Sequence, residues 1–302
     1  MENPGRPLCC RLARMILWIL AATIQLVHAE PLAVHEPMLA SYPPLPDGRA
    51  CESVAVPVNR DALLVSVVAP GANPANPSLL MGNRRVAVRL IGYDPVTRLG
   101  FFQTKEVAAP HTAEWLDDAR GCVGSTLRAE TAGGPVKCLA TGWIKQIGGK
   151  VLPLALLRVN FDRAVPPAGT ALTEPGGRVV GIVFQSAASG NTGYAIPAEA
   201  VHRVQRDLVK GGRLVRGWLG LVLHSESQSP RVVRVLPDSP AAGAGILPGD
   251  VLLAVGSRQI SDYADAANAF FYLVPGETTQ VKLLRGGKPL ALALTPSRPQ
   301  AE

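Results

Sequence analysis

Trp218-Leu219-Gly220-Leu221 could hold an anion with backbone N–H groups alone. Gly220 lets the chain turn tightly, so successive amides can converge on one point. Leu221 and Leu223 then alternate as on a strand, with one face for packing and a free edge for pairing. Ala266, Ala269, Phe270 and Leu273 share a helical face that could wall a pocket beside that edge. Ser261 suits the N-cap of this helix, expected over about residues 262–273. The chemistry such residues could do is to hold an anion on loop amides beside a strand edge that is free to pair. Trp218, Phe270 and Phe271 can equally serve as core residues.

Nucleophilic hydrolysis would need a different constellation: a serine, a histidine base, an aspartate orienting that base, and an oxyanion hole. Between His35 and His111 the chain has no histidine. His111, Ser125, Ser186 and Ser189 have no motif around them, and serines in Gly-rich loops are usually turn residues. His202 and His224 read as surface or packing residues. His35, His111, Asp117 and Asp118 are too scattered for a metal site, and neither HExxH nor paired CxxC occurs. No metal or cofactor is expected.

The elements that must position these groups are mostly strands. The chain has 302 residues, a length for about two domains, and 47% are hydrophobic, enough to bury a core. The abundant Gly and Pro favour turn-rich β structure. Arg6, Arg11 and Arg14 precede the apolar run 15–27, and Val27-His28-Ala29 follows, which fits a signal peptide cut after Ala29. The run is shorter than the ~20 residues that span a bilayer, so an uncleaved inner-membrane anchor is the alternative. Cleavage lowers the net charge from +7 to +5. The basic residues are scattered, so no nucleic-acid partner is expected. Cleavage also leaves Cys51, Cys122 and Cys138, whose spacing does not choose a pairing.

Residues 30–50 carry Pro31, Pro37, Pro43, Pro44 and Pro46 and read as a linker. From Cys51 to about Gln185, short apolar runs punctuated by Gly and Pro read as a β-barrel or sandwich. A helical turn is expected only over 111–120. Val201, Val204 and Leu208 recur at helical spacing over 197–210, with Pro197 at the start and Gly211-Gly212 after the end.

Several motifs then fall in register. They are Arg216-Gly217-Trp218-Leu219-Gly220-Leu221, Ser239-Pro240-Ala241-Ala242, the tract from Gly245 through Pro248-Gly249-Asp250-Val251-Leu252, and Leu283-Leu284-Arg285-Gly286. Together they resemble the PDZ domains of the HtrA/Deg family of envelope proteases. Upstream, Gly193-Tyr194-Ala195-Ile196-Pro197 is similar to that family's junction between protease and PDZ domains. Gly177-Arg178-Val179-Val180-Gly181-Ile182 resembles the strand after its nucleophile loop, and Ile91-Gly92-Tyr93-Asp94-Pro95 the segment carrying its catalytic acid.

The resemblance implies a mainly β fold: a trypsin-like double β-barrel, then a C-terminal PDZ domain, a β-sandwich capped by short helices. The expected layout is a signal peptide over 1–29, a Pro-rich linker over 30–50 and the barrels over 51–200. A connecting helix over 201–214, the PDZ domain over 215–298 and a tail over 299–302 follow. Counted back without gaps from Gly177, the family's serine falls at Ala168; its aspartate falls at Arg98, where Thr97-Arg98-Leu99-Gly100-Phe101 stands for its Thr-Asp-Leu-Ala-Val, and its histidine, some 30 residues upstream, near Val67. All three lack the chemistry, so the expectation is a periplasmic pseudoprotease, not an enzyme. It would bind protein C-termini or unfolded polypeptides at Trp218, Leu219, Gly220, Leu221, Leu223, Ala266 and Phe270. It would act as scaffold, holdase or regulator of an active HtrA-type protease, with a homo-oligomer as one form it could take. One alternative is a divergent active serine endopeptidase in periplasmic quality control. The other is an assembly component whose groove is filled by its own chain.

Overall fold

The computed structural model describes residues 38–59, 62–105, 114–188, 190–225 and 229–299. The expected signal peptide, His35, His111 and Ser189 lie outside the described residues.

Seven strands come first: β1 (Met38–Tyr42), β2 (Cys51–Pro57), β3 (Leu63–Val67), β4 (Ser78–Met81), β5 (Arg84–Ala87), β6 (Arg89–Asp94) and β7 (Leu99–Gln103). They form one antiparallel sheet in the order β5-β4-β1-β2-β3-β7-β6. The residue alternation of β3 feeds two cores. Leu64 packs with Tyr42, Leu79, Val86 and Phe102 inside this sheet, while Leu63, Val65 and Val67 point into a second cluster shared with the rest of the chain. Strand β1 corrects the linker expectation for residues 30–50, since it pairs along its length with β2 and β4. Pro43, Pro44 and Pro46 follow the strand and do not interrupt it, so no ladder hydrogen bond is lost.

Six further strands close a barrel: β8 (Thr126–Ala129), β9 (Val136–Ile147), β10 (Lys150–Phe161), β11 (Ala171–Thr173), β12 (Val179–Ser186) and β13 (Thr192–Pro197). Strands β9 and β10 are joined at Gly148-Gly149, both with positive φ, as a two-residue hairpin turn requires. Of the helical turn expected over 111–120, the described part contains only the start of a short 3-10 turn at Arg120–Cys122. Helix α1 (Ala198–Gly211) follows, with Pro197 at its N-cap. It ends at Gly212, whose left-handed φ of 72° lets its N–H reach the Leu208 carbonyl. Its Val201, Val204 and Leu208 enter the shared cluster beside Val67, Phe101 and Ile182.

The last part comprises β14 (Leu221–Leu223), β15 (Val232–Val235), α2 (Pro240–Gly243), β16 (Val251–Val255), β17 (Arg258–Gln259), α3 (Tyr263–Phe271), β18 (Thr279–Arg285) and β19 (Lys288–Leu294). It has its own core of Leu219, Ile246, Leu252, Ala266, Ala269 and Leu283. Asp262, not Ser261, caps α3, because its carboxylate accepts from the Asp265 amide at 2.7 Å. Ser261 instead donates its amide to the Asp265 side chain.

Helix α3 also joins this domain to the barrel. Asn268 Oδ1 accepts from the Ala155 amide on β10 at 3.0 Å, and Lys145 of β9 sits 2.8 Å and 2.9 Å from Asp262 and Asp265. Phe271 is buried in the shared cluster.

Cys51, Cys122 and Cys138 are buried and unbridged. Burial pushes the Cys122 thiol up to about 11 and the Cys138 thiol up to about 12. Thiolate is scarce at neutral pH, so native protein should react with a thiol reagent only after unfolding. Counting labelled cysteines in a chain of residues 30–302 by mass spectrometry, with and without denaturant, checks this.

The Pro166-Pro167-Ala168-Gly169 turn crosses between the seven-stranded sheet and the barrel. Ala168 accepts from the Val54 amide at 2.8 Å, and Gly169, at φ 87°, donates to the Val183 carbonyl at 2.7 Å. A Cβ on Gly169 would collide with the Val54 carbonyl oxygen. Gly169→Ala should therefore cost roughly 2 kcal/mol or more, read from the midpoint of denaturant unfolding.

Candidate peptide-binding site

Strand β14 pairs only with β15, so its other edge has no strand partner among the described residues. The Leu236 amide donates to the Gly220 carbonyl, and Leu221 stands opposite Val235. Leu221 and Val235 are therefore the non-hydrogen-bonded kind of antiparallel pair, and the Leu221 amide points out toward the open edge. Just before it, the amides of Leu219 and Gly220 have no acceptor among the described residues. Three consecutive N–H groups thus have no acceptor among the described residues, and successive amides of this kind suit a carboxylate.

Trp218 does not share in this. It exchanges both backbone hydrogen bonds with Ser297, at 2.8 Å and 3.0 Å. Gly220 has φ 78°, and a Cβ there would collide with Ser239, which caps α2. Glycine is required by that contact as well as by the turn. Leu221, Leu223 and Phe270 are half-buried and pack on one cluster, forming one side of the groove. Leu219 and Ala266 are buried in the core, so Leu219 contributes its amide only and Ala266 underlies the groove without facing it.

Two sequence motifs meet elsewhere in this domain. Asp250, 2% exposed, accepts from the Leu247 amide and from Arg285 Nε and Nη2 at 2.8 Å and 2.7 Å. Arg285 Nη2 also donates to the Gly245 carbonyl. This fixes the turn leading from α2 into β16.

Val67, Arg98 and Ala168 fall where the seven-stranded sheet meets the barrel. Val67 is fully buried in β3, and Ala168 packs on the same cluster. Arg98, in the β6–β7 turn at φ 58°, lies 4.0 Å over the Phe184 ring. Its Nη2 also contacts the Phe184 carbonyl and Gln185 Oε1, at 3.4 Å and 3.3 Å. Burial lowers the Arg98 pKa, which the nearby Tyr93 opposes. Ser125 lies in the turn before β8, and Ser186 is exposed at the end of β12. His202 packs edge-on against Trp115, and burial lowers its pKa despite Asp117 and Glu199 nearby.

Residues 217–295 match the PDZ domain family. A Bartonella henselae protein named a DegP-like periplasmic serine endoprotease is 29% identical over 222 residues, covering 66% of this chain and 44% of its own. A Pseudomonas putida protein of the same name is 28% identical, covering 72% and 49%. A solved HtrA-type protease, AlgW with tripeptide, superposes with a TM-score of 0.65 at 21% identity, covering 90% of this chain and 96% of that one. The chain is HtrA/DegP-like. It has a trypsin-like fold with a C-terminal PDZ domain and spans about half the length, or less, of the two named endoprotease relatives.

The expectation that this HtrA-like chain is not an enzyme is overturned by these relatives. They are named serine endoproteases, and the structural neighbours are HtrA-type proteases. The residues at Val67, Arg98 and Ala168 do not by themselves make the chain a pseudoprotease.

Sequence reasoning missed the contacts of α3 with β9 and β10. Asn268, Lys145 and Glu199 belong to no motif, and their partners are more than 50 residues away. The meeting of Asp250 with Arg285 was signalled by two quoted motifs whose proximity the sequence did not state.

The Arg285 guanidinium holds the Asp250 carboxyl below its ordinary value. A depressed carboxyl contributes stability above its unfolded pKa, near 4, and loses it as pH falls through the folded value. Asp250→Asn should thus unfold at lower denaturant than the parent at pH 7. The difference should shrink steadily below about pH 4.

Proposed function

We propose that this HtrA/DegP-like protein works in the periplasm, capturing protein C-termini or unfolded segments at the open edge of β14. Its role belongs to the serine-endopeptidase work for which its relatives are named. The observation that carries the capture reading is the run of acceptor-less amides at Leu219 and Gly220, continued by the outward amide of Leu221. A peptide added along residues 221–223 would place its terminal carboxylate at those donors and its last side chain against Phe270 and Leu223. A groove filled by the protein's own chain is disfavoured, since the Ser297 contact stops at Trp218. The periplasmic setting is supported by the relatives' names and by the expected signal peptide.

Proteolysis is supported by the relatives alone. Its nucleophile and base are not those counted at Val67, Arg98 and Ala168.

Two measurements test the proposal separately. Calorimetric titration of the signal-peptide-free chain with a decapeptide ending in an apolar residue should show binding. Amidating the peptide's C-terminus should weaken it by about tenfold or more, as loss of a charge-assisted hydrogen-bond site implies. Equal affinity for acid and amide would sink the capture reading. For the endopeptidase reading, repurified protein is incubated with an unfolded casein and, in parallel, with a fluorophosphonate probe. Cleavage with one labelled serine is expected; neither cleavage nor labelling would refute it and leave capture standing.

A further inference from the structure

Between the barrel and the PDZ domain lies a cavity of about 360 Å³, which no part of the capture site uses. Trp143 and Lys145 of β9, Ala155 of β10, Asn268 of α3, and Arg258 and Tyr272 line it. Its size lies within the range of small-molecule sites, and junctions between domains are a common place for them.

The lining is apolar on its walls and rich in donors. Trp143 and Tyr272 supply aromatic surface. Arg258 stacks on Tyr272, 3.4 Å from the ring centroid. The other cations are already satisfied: Arg120 by Asp118 and the Ser257 carbonyl, Lys145 by Asp262 and Asp265. Arg258 is different. Only its Nη2 has a partner, Glu199, at a long 3.4 Å, and its Nε and Nη1 have none among the described residues. The indole Nε1 of Trp143 likewise has no acceptor there. Asn268 accepts through Oδ1 and leaves its NH₂ without a partner. The two carboxylates on the wall are occupied, Glu199 by the Ala119 amide and Arg258, Asp265 by Lys145 and the Ser261 amide. Unmet donors beside aromatic walls call for a ligand with acceptor oxygens and a flat apolar body.

We propose that this cavity binds a small carboxylate carrying an aromatic body, its carboxylate on Arg258 and its ring against Trp143. The site is separate from the β14 edge, although α3 contributes to both.

The test uses 3-phenylpropanoate and its amide as probes of the signal-peptide-free chain, by calorimetry and by tryptophan fluorescence. The acid should bind saturably and the amide about tenfold more weakly. Arg258→Gln should remove the preference for the acid, and Trp143→Leu should weaken acid and amide alike. Circular dichroism and the melting temperature establish that each variant is folded, and Arg258→Lys should restore part of the preference. A saturating C-terminal decapeptide should leave acid binding in place, which separates this site from the capture groove. The proposal is overturned if binding does not saturate, if the acid preference persists in folded Arg258→Gln, or if the decapeptide displaces the acid competitively.

Discussion

The placement of the PDZ domain depends on a buried ion pair within α1. Arg203 is 3% exposed and lies 2.7 Å from Asp207, one helical turn away. Arg203 also donates to the carbonyls of Val215 and Leu273, and Asp207 accepts from the Val215 amide. One pair therefore holds three things: the helix that closes the barrel, the connector leaving it, and the residue just past α3. Removing either partner would leave a charge in a nearly dry site, far costlier than losing an exposed pair. Around this anchor, Phe271 enters the barrel's cluster and Gly217 donates to the Leu273 carbonyl. Gly217 has no room for a Cβ, which would press on Leu273 and Pro296.

Much of the architecture was legible because it obeys local rules. The apolar run over 62–68, the spacing of Val201, Val204 and Leu208, and the motifs from Arg216 to Gly286 each identify their element. The N-terminal boundary was not legible. Five prolines in residues 30–50 read as a linker, yet β1 fits between them, and its stability comes from β2 and β4, not from its own composition. The cap of α3 was misplaced by one residue, because Ser261 and Asp262 are both good caps and geometry decides between them.

The candidate site was legible in outline and less so in detail. Gly220 and the leucines after it indicated a loop and an edge strand. Which amides stay unpaired depends on the register of β14 on β15 and on Ser297, a residue 79 positions beyond Trp218 that no local pattern links to it. Ala266 shares a helical face with Phe270 but lies deeper, since α3 is covered on two sides, by its own domain's core and by β10. The reading of catalysis from single counted positions failed for a related reason. Residue identity at a counted position is weaker information than the relationship of the whole chain.

The open edge of β14 has a cost for solubility. An edge that accepts a guest strand accepts a neighbouring copy by the same hydrogen bonds, which is how sheets begin to stack into aggregates. Here that hazard is contained by length. Only residues 221–223 are extended, and a register shift between Val222 and Leu223 interrupts the ladder. A three-residue template offers too few bonds for indefinite sheet growth, yet is long enough for the last residues of a chain. The shortness of this strand thus limits polymerisation at this edge.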